Sequence, residues 1–178
     1  MSGCKYSIWK ILTAGVALFL LLPRIALGEF GVCPPYSETF GPDDSPGDIV
    51  AFVNSASARP GGATVRLDSG DYVLEGITPV TGVLCIQGIA GETESSVQLA
   101  EPGMVVAAGG VLTLDSIGLH RVDVQTAGTL FAHGIHQNEP PPCDGHIGLT
   151  VEVGGFARIE SSYFHGADNS GALIMVDS

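Results

Sequence analysis

An all-β chain wound as a parallel solenoid, with a short helix over one end, is predicted by three observations. Four glycine-anchored stretches repeat with period-two alternation, helical period is absent from them, and one amphipathic segment precedes them. Composition is consistent with this class. Of 178 residues, 45% are apolar and 15% charged, which excludes a disordered or collagen-like chain, and 25 glycines are too many for a helix bundle.

Residues 1–28 read as a secretory leader. Lys5 and Lys10 form a basic start, Ile11 to Leu22 is an apolar to weakly polar run, and the small residues Ala26 and Gly28 follow Pro23 and Arg24. A membrane span needs about 20 apolar residues, and Lys10 and Arg24 bracket too few, so cleavage after Gly28 is expected rather than retention as an anchor. The expected mature chain is one domain's length, divided into an N-terminal extension at 29–44 and a repeat domain at 45–178. Losing the leader lowers the basic count from 7 to 4 against 19 acids, a net −15, with no lysine left. Such a surface repels nucleic acid and anionic membrane, so neither is expected as a partner. Secretion also implies an oxidising compartment. Cys33, Cys85 and Cys143 then make one disulfide and one odd thiol, with the pairing left open by the sequence. Asn54, Asn138 and Asn169 all fail the glycosylation sequon at its third position.

The helix comes first. Ser45 is placed as its N-cap, Pro46 at the first helical position and Asp48 in the first turn, with Ile49, Phe52, Val53 and Ala56 on one face until Pro60-Gly61-Gly62 breaks it. Arg59 is placed on this helix. A strand from Ala63 to Leu67, carrying Arg66, then turns through Asp68-Ser69-Gly70-Asp71 into Tyr72-Val73-Leu74.

The repeats are anchored on Gly82, Gly110, Gly128 and Gly155, separated by 28, 18 and 27 residues. Two past each anchor stand Leu84, Leu112, Leu130 and Ala157; four past it, Ile86, Leu114, Ala132 and Ile159; seven past it, Ile89, Ile117, Ile135 and Ser162. The step of two is strand alternation, and the jump of three marks a corner at Gln87-Gly88, Asp115-Ser116, His133-Gly134 and Glu160-Ser161. Six, four and two before the anchors run Met104, Val106, Ala108; Val122, Val124, Thr126; and Leu149, Val151, Val153. The first copy, Gly76, Thr78, Val80, is weaker. Ala172, Ile174 and Val176 fit those same preceding columns for an anchor at Ser178. The pattern predicts about four to five coils and an uncapped C-terminal end. That end implies a truncated product, a covering partner or end-to-end self-association.

The run Pro-Gly-Gly-Ala-Thr-Val-Arg-Leu-Asp-Ser-Gly-Asp-Tyr-Val-Leu after a helix, followed by copies of Gly-Val-Leu-Thr-Leu-Asp-Ser-Ile-Gly-Leu, resembles the right-handed parallel β-helix of the pectin-lyase-like superfamily over about residues 46–178. The resemblance implies the fold and leaves function open, because that scaffold hosts lyases, hydrolases, adhesins and inert surface proteins.

Chemistry is sparse. Only Arg59, Arg66, Arg121 and Arg158 are available to hold acidic sugars, and no catalytic motif of the superfamily can be carried over. The corner column Gln87, Asp115, His133 and Glu160 is the strongest pattern. Asp115, His133 and Glu160 are the candidate catalytic residues, although solvent-facing corners select polar residues whatever the function. His133, His136, Cys143 and His146 have the mixed nitrogen and sulfur spacing of a zinc site, without the doubled Cys-x2-Cys of strong ones. Zinc there, or calcium in a lyase, are the ions such readings imply. Phe131 and Tyr163 are the outward aromatics expected in the repeats. The leading expectation is a secreted, non-catalytic protein presenting a stacked surface to an extracellular glycan or a cell-envelope protein. A polysaccharide lyase or glycoside hydrolase is the alternative, with Asp115 and Glu160 as its carboxylate pair, and a metal-binding module is the third reading.

Overall fold

The structure, a computed structural model, describes residues 31–89, 95–99, 103–119, 121–135, 148–162, 167–169 and 173–177. The expected leader at 1–28 lies outside them. Among the described residues the protein is mostly strands in parallel sheets with one short helix.

In chain order the elements are β1 (Ser37–Phe40), α1 (Pro46–Ser57), β2 (Ala63–Leu67), β3 (Asp71–Leu74), β4 (Val83–Gly88), β5 (Ser95–Leu99), β6 (Met104–Val106) and β7 (Val111–Asp115). Then come β8 (Ile117–Leu119), β9 (Val122–Val124), β10 (Thr129–His133), β11 (Leu149–Val151), β12 (Phe156–Glu160), β13 (Ala167–Asn169) and β14 (Leu173–Asp177). A seven-stranded sheet runs β1-β2-β4-β7-β10-β12-β14, a four-stranded one β13-β11-β9-β6 and a three-stranded one β3-β5-β8. All pairings between these strands are parallel. From β4 to β10 the chain visits the seven-, three- and four-stranded sheets in rotation, so each strand pairs with its counterpart one repeat away.

The anchored columns are the core. Leu84, Leu112, Leu130 and Ala157 pair in register, as do Ile86, Leu114, Ala132 and Ile159, and all eight are buried. Met104, Val122 and Leu149 form another buried row, and Val106, Val124 and Val151 a further one. Tyr72, Val97 and Leu119 line the three-stranded sheet from inside. A fully buried Leu or Val contributes about 1.5–3 kcal/mol. Here the contribution depends on the adjacent repeats, since the side chains that exclude water come from the strands on either side.

The helix forms where expected. Ser45 is extended, Pro46 stands at the first helical position, and Ile49, Val53 and Ala56 are buried against the end of the core. Ser45 makes no side-chain cap bond; its carbonyl instead accepts from the N–H groups of Asp48 and Ile49. Phe52 is half-buried, 5.8 Å from the Tyr36 ring and 5.7 Å from Phe40. Arg59, expected on the helix, lies instead just past the C-cap Ala58, with its guanidinium 3.5 Å over the Tyr36 ring. The stretch read as an N-terminal extension supplies β1, which pairs with β2.

Several column assignments are corrected. The residues two before the last three anchors are exposed, Val153 at 61%, because the preceding strands end two residues earlier and the chain turns there. In each turn the anchor N–H donates back three residues: Gly110 to Ala107, Gly128 to Gln125 and Gly155 to Glu152. The third residue of each turn has positive φ, 79° at Gly109, 61° at Ala127 and 80° at Gly154, the requirement of a type II turn. The first copy is shorter by two residues. Val80 bridges Val106 and is buried, so it occupies the place four before an anchor, and Thr78 is exposed.

Ile89 does not join Ile117 and Ile135 in the core; it is 39% exposed where they are buried. The corner itself explains this. Ser116 (φ 54°), Gly134 (φ 61°) and Ser161 (φ 46°) turn through the left-handed region, whereas Gly88 is not among the positive-φ residues and β4 continues through it. At the chain's far end, Ile174 and Val176 pair with Ala157 and Ile159, not with the preceding columns. β14 belongs to the seven-stranded sheet, and β13 holds the place beside β11. A period-two pattern fits either sheet equally well, so alternation could not distinguish them.

Candidate functional site: the outer ladder of the seven-stranded sheet

Alternation that turns Leu84, Leu112 and Leu130 inward turns their neighbours outward. The strand register aligns Arg66, Gln87, Asp115, His133 and Glu160 into one outward column across β2, β4, β7, β10 and β12. The corner residues named from sequence are therefore brought together. Gln87 Nε2 donates to Asp115 Oδ2 at 3.4 Å, and His133 Nδ1 lies 3.0 Å from Asp115 Oδ1. Ser116 Oγ also donates to Asp115 Oδ1, at 3.0 Å. Glu160 turns toward its own strand instead, where its Oε1 is 2.5 Å from Arg158 Nη2. That oxygen is sealed from solvent and has this charge contact in place of a well-aligned hydrogen bond. His133 is the most open of the acid–base candidates, its side chain 46% exposed.

Beside the ladder runs a second outward column, Thr64, Cys85, Thr113, Phe131 and Arg158. Thr64, Cys85 and Thr113 face outward and are nevertheless buried. The segment 31–36 is the reason. Cys33 is disulfide-bonded to Cys85, Pro34 O accepts from Thr64 Oγ1 at 2.6 Å, and Tyr36 O accepts from Thr64 N at 2.8 Å. Gly31 sits so close to Thr113 and Phe131 that a Cβ there would come within 2.5 Å of Thr113 Oγ1. This strap crosses the sheet from β10 toward β2. Phe131, half-buried, packs edge-on against Phe156 at 6.0 Å.

The arrangement bears on each chemical reading. Asp115 and Glu160 lie on one face, two strand steps apart with His133 between them, about 10 Å along the backbone by strand spacing. Glycosidases place their carboxylates on opposite sides of a sugar, about 5–9.5 Å apart. For the zinc reading, His133 directs Nδ1 to Asp115, while His136, Cys143 and His146 lie outside the described residues, as does Tyr163. Among the described residues no group of three or more His, Cys, Asp or Glu could hold a metal. Arg121 forms an ion pair with Asp123 at 3.1 Å, on the four-stranded sheet and away from the ladder.

Arg66 was not assigned to the ladder from sequence. Its signal was present: Gly61 precedes it by five residues, the spacing from Gly82 to Gln87, and β2 pairs with β4 in that register. The strap left no such trace, because one cysteine among three does not name its partner. Among the described residues no helix is long and apolar enough to cross a membrane. No family model matches the chain, and neither the curated proteins nor the solved structures contain a match to it.

Proposed function

We propose that the three parallel sheets are the faces of a right-handed parallel β-helix of the pectin-lyase-like type, and that the protein is secreted, non-catalytic and holds an extended extracellular glycan along the outer ladder. The fold reading is supported by the rotation of strands among the sheets, and its handedness by the rule that parallel crossovers are right-handed in about 98% of cases.

The observation that carries the functional reading is the register of Arg66, Gln87, Asp115, His133 and Glu160. It offers hydrogen-bonding groups at a constant step of about 4.8 Å, which suits a linear polymer of repeating units. The chain's net charge of −12 opposes a polyanion, so a neutral glycan is the favoured class. The Cys33–Cys85 disulfide supports an oxidising compartment.

Affinity electrophoresis of the full secreted protein tests this. Retardation by hydroxyethylcellulose and free migration through polygalacturonate are expected, with retardation weakened in Gln87→Ala. Release of reducing ends or unsaturated uronates from either polymer would overturn the non-catalytic reading. Free migration through both would overturn the glycan, in favour of a protein partner.

A further inference from the structure

A groove of about 220 Å³ lies between α1 and β3, lined by Pro46, Gly47, Val50, Val73 and Glu75. It is separate from the ladder, because β3 belongs to the three-stranded sheet. Pro46, Val50 and Asn54 follow at four-residue steps and so run along one side of α1. Across from them, alternation buries Tyr72 and Leu74 and turns Asp71 and Val73 outward, which leaves Val73 54% exposed. The half-buried Val50 and the outward Val73 thus supply two aliphatic walls.

These walls are fixed against each other. Asn54 Nδ2 donates to Gly76 O at 3.1 Å, while Asn54 Oδ1 accepts from Thr78 N at 2.8 Å and from Thr78 Oγ1 at 3.1 Å. One helix side chain therefore pins the segment that directly follows Glu75. A guest meets a groove already formed and need not order it.

The charge around the groove has one sign. Glu75 is the charged side chain in its lining, is exposed, and has no ion-pair partner among the described residues. Asp48 stands beside Gly47 in the first turn of α1, and Asp71 stands two residues before Val73 on the same outward side. The helix N-terminus brings about half a positive charge, which Asp48 offsets. The arginines are placed elsewhere: Arg59 over Tyr36, Arg121 beside Asp123, Arg158 beside Glu160 and Arg66 in the ladder.

We propose that this groove takes one long basic side chain from a partner protein, its methylenes between Val50 and Val73 and its charge at the Glu75 carboxylate. Lysine and arginine carry an apolar stem and a charged head, the same division that the groove presents. Sites for free small molecules and cofactors enclose about 300–1,000 Å³, so the volume here suits a single side chain. A second copy of this chain is disfavoured as the partner by its net charge of −12. The proposal uses no ladder residue and stands apart from the glycan reading.

Nitrogen–proton NMR of the labelled full-length protein, titrated with the capped peptide Gly-Gly-Lys-Gly-Gly, tests it. Shifts concentrated at the amides of Gly47, Val50, Val73 and Glu75 are expected, with binding weakened about tenfold in Glu75→Gln. Norleucine in place of the lysine keeps the stem without the charge, and diaminopropionate keeps the charge without the stem. Each is expected to bind more weakly than the lysine peptide. Val73→Ser should weaken the lysine peptide and leave the diaminopropionate peptide unchanged. Equal binding of the lysine and diaminopropionate peptides, with shifts spread over the acidic surface, would reduce the effect to diffuse attraction and overturn the proposal. Unchanged binding in Glu75→Gln would overturn it as well. So would a glutamate peptide that moves the Gly47 amide further than the lysine peptide does, since the helix N-terminus would then be acting as an anion site.

Discussion

Cys33 is bonded to Cys85 on the outward side of β4, and through that bond residues 31–36 are tied down over Thr64, Cys85 and Thr113. Outward positions of a sheet ordinarily meet water. Here three of them are dry because the chain's own strap lies on them, anchored also by β1 pairing with β2.

The disulfide spans 52 residues of sequence. Closing a loop of that length restricts the unfolded chain, so Cys33→Ser is expected to lower stability by about 2–5 kcal/mol. Urea denaturation of the oxidised wild type and the variant measures the difference. Hydrogen exchange should quicken at the Thr64 amide, whose bond to Tyr36 O the strap supplies. Equal midpoints in the two proteins would mean the strap is held by β1 and Thr64 without the sulfur bridge.

Leu112 sits at the centre of a buried column, paired with Leu84 on one side and Leu130 on the other. Truncating it leaves a hole between repeats, and Leu112→Ala should cost about 2–5 kcal/mol. Val153, which the sequence pattern placed in a column of its own, is 61% exposed in a turn. Val153→Ala should therefore stay within about 0.5 kcal/mol of the wild type. Thermal unfolding of the pair separates core from turn, and the reverse ranking would refute the register.

Ala127 takes the turn position that glycine holds at 109 and 154, with φ at 61°. A side chain in that region is strained by about 1–2 kcal/mol, partly offset by the greater freedom glycine has when unfolded. Ala127→Gly is expected to stabilise the protein by about 0.5–1 kcal/mol, measured by urea denaturation. A loss of stability would show that the methyl group makes contacts worth more than the strain.

Tyr72 supplies the pH dependence. Its hydroxyl lies 2.8 Å from Asp68 O and 3.1 Å from Phe40 O, and burial, then the nearby charges of Asp68 and Asp44, raise its pKa above the ordinary 10.0. The folded chain thus keeps this proton after the unfolded chain has begun to lose it. The tyrosine's contribution is complete below pH 10.0 and is lost as pH rises from there through the folded-state value. Tyr72→Phe should lower stability at neutral pH by about 1 kcal/mol and remove that part of the alkaline decline. Denaturation midpoints from pH 8 to 11 check both.

Much of the core and part of the site were legible in the sequence. Leu84, Leu112 and Leu130 share a column because each stands two past a glycine, and the corner residues Gln87, Asp115, His133 and Glu160 align for the same reason. Ile89 was misread because its corner carries a glycine, as the one at Gly134 does, and takes a different path. Gly88 is pressed so close beneath the next corner that a Cβ would stand 2.0 Å from Ser116 O, and the strand passes straight on. Glycine there serves close approach of two backbones rather than a turn, and the letter alone cannot tell the two apart.

The sequence by itself determined the spacing: which residues alternate, where the chain must turn, where the helix begins, and which polar side chains recur at the corners. Those properties are local, set by backbone sterics and by water's exclusion of apolar side chains at a period of two. Only the tertiary structure decided which cysteine pairs with Cys33, which sheet β14 joins, that Arg66 extends the ladder, and that Asp115 faces the Nδ1 of His133. Each of these depends on residues far apart in the chain meeting in space, and the alternation that predicts a strand is the same whichever neighbour it finds.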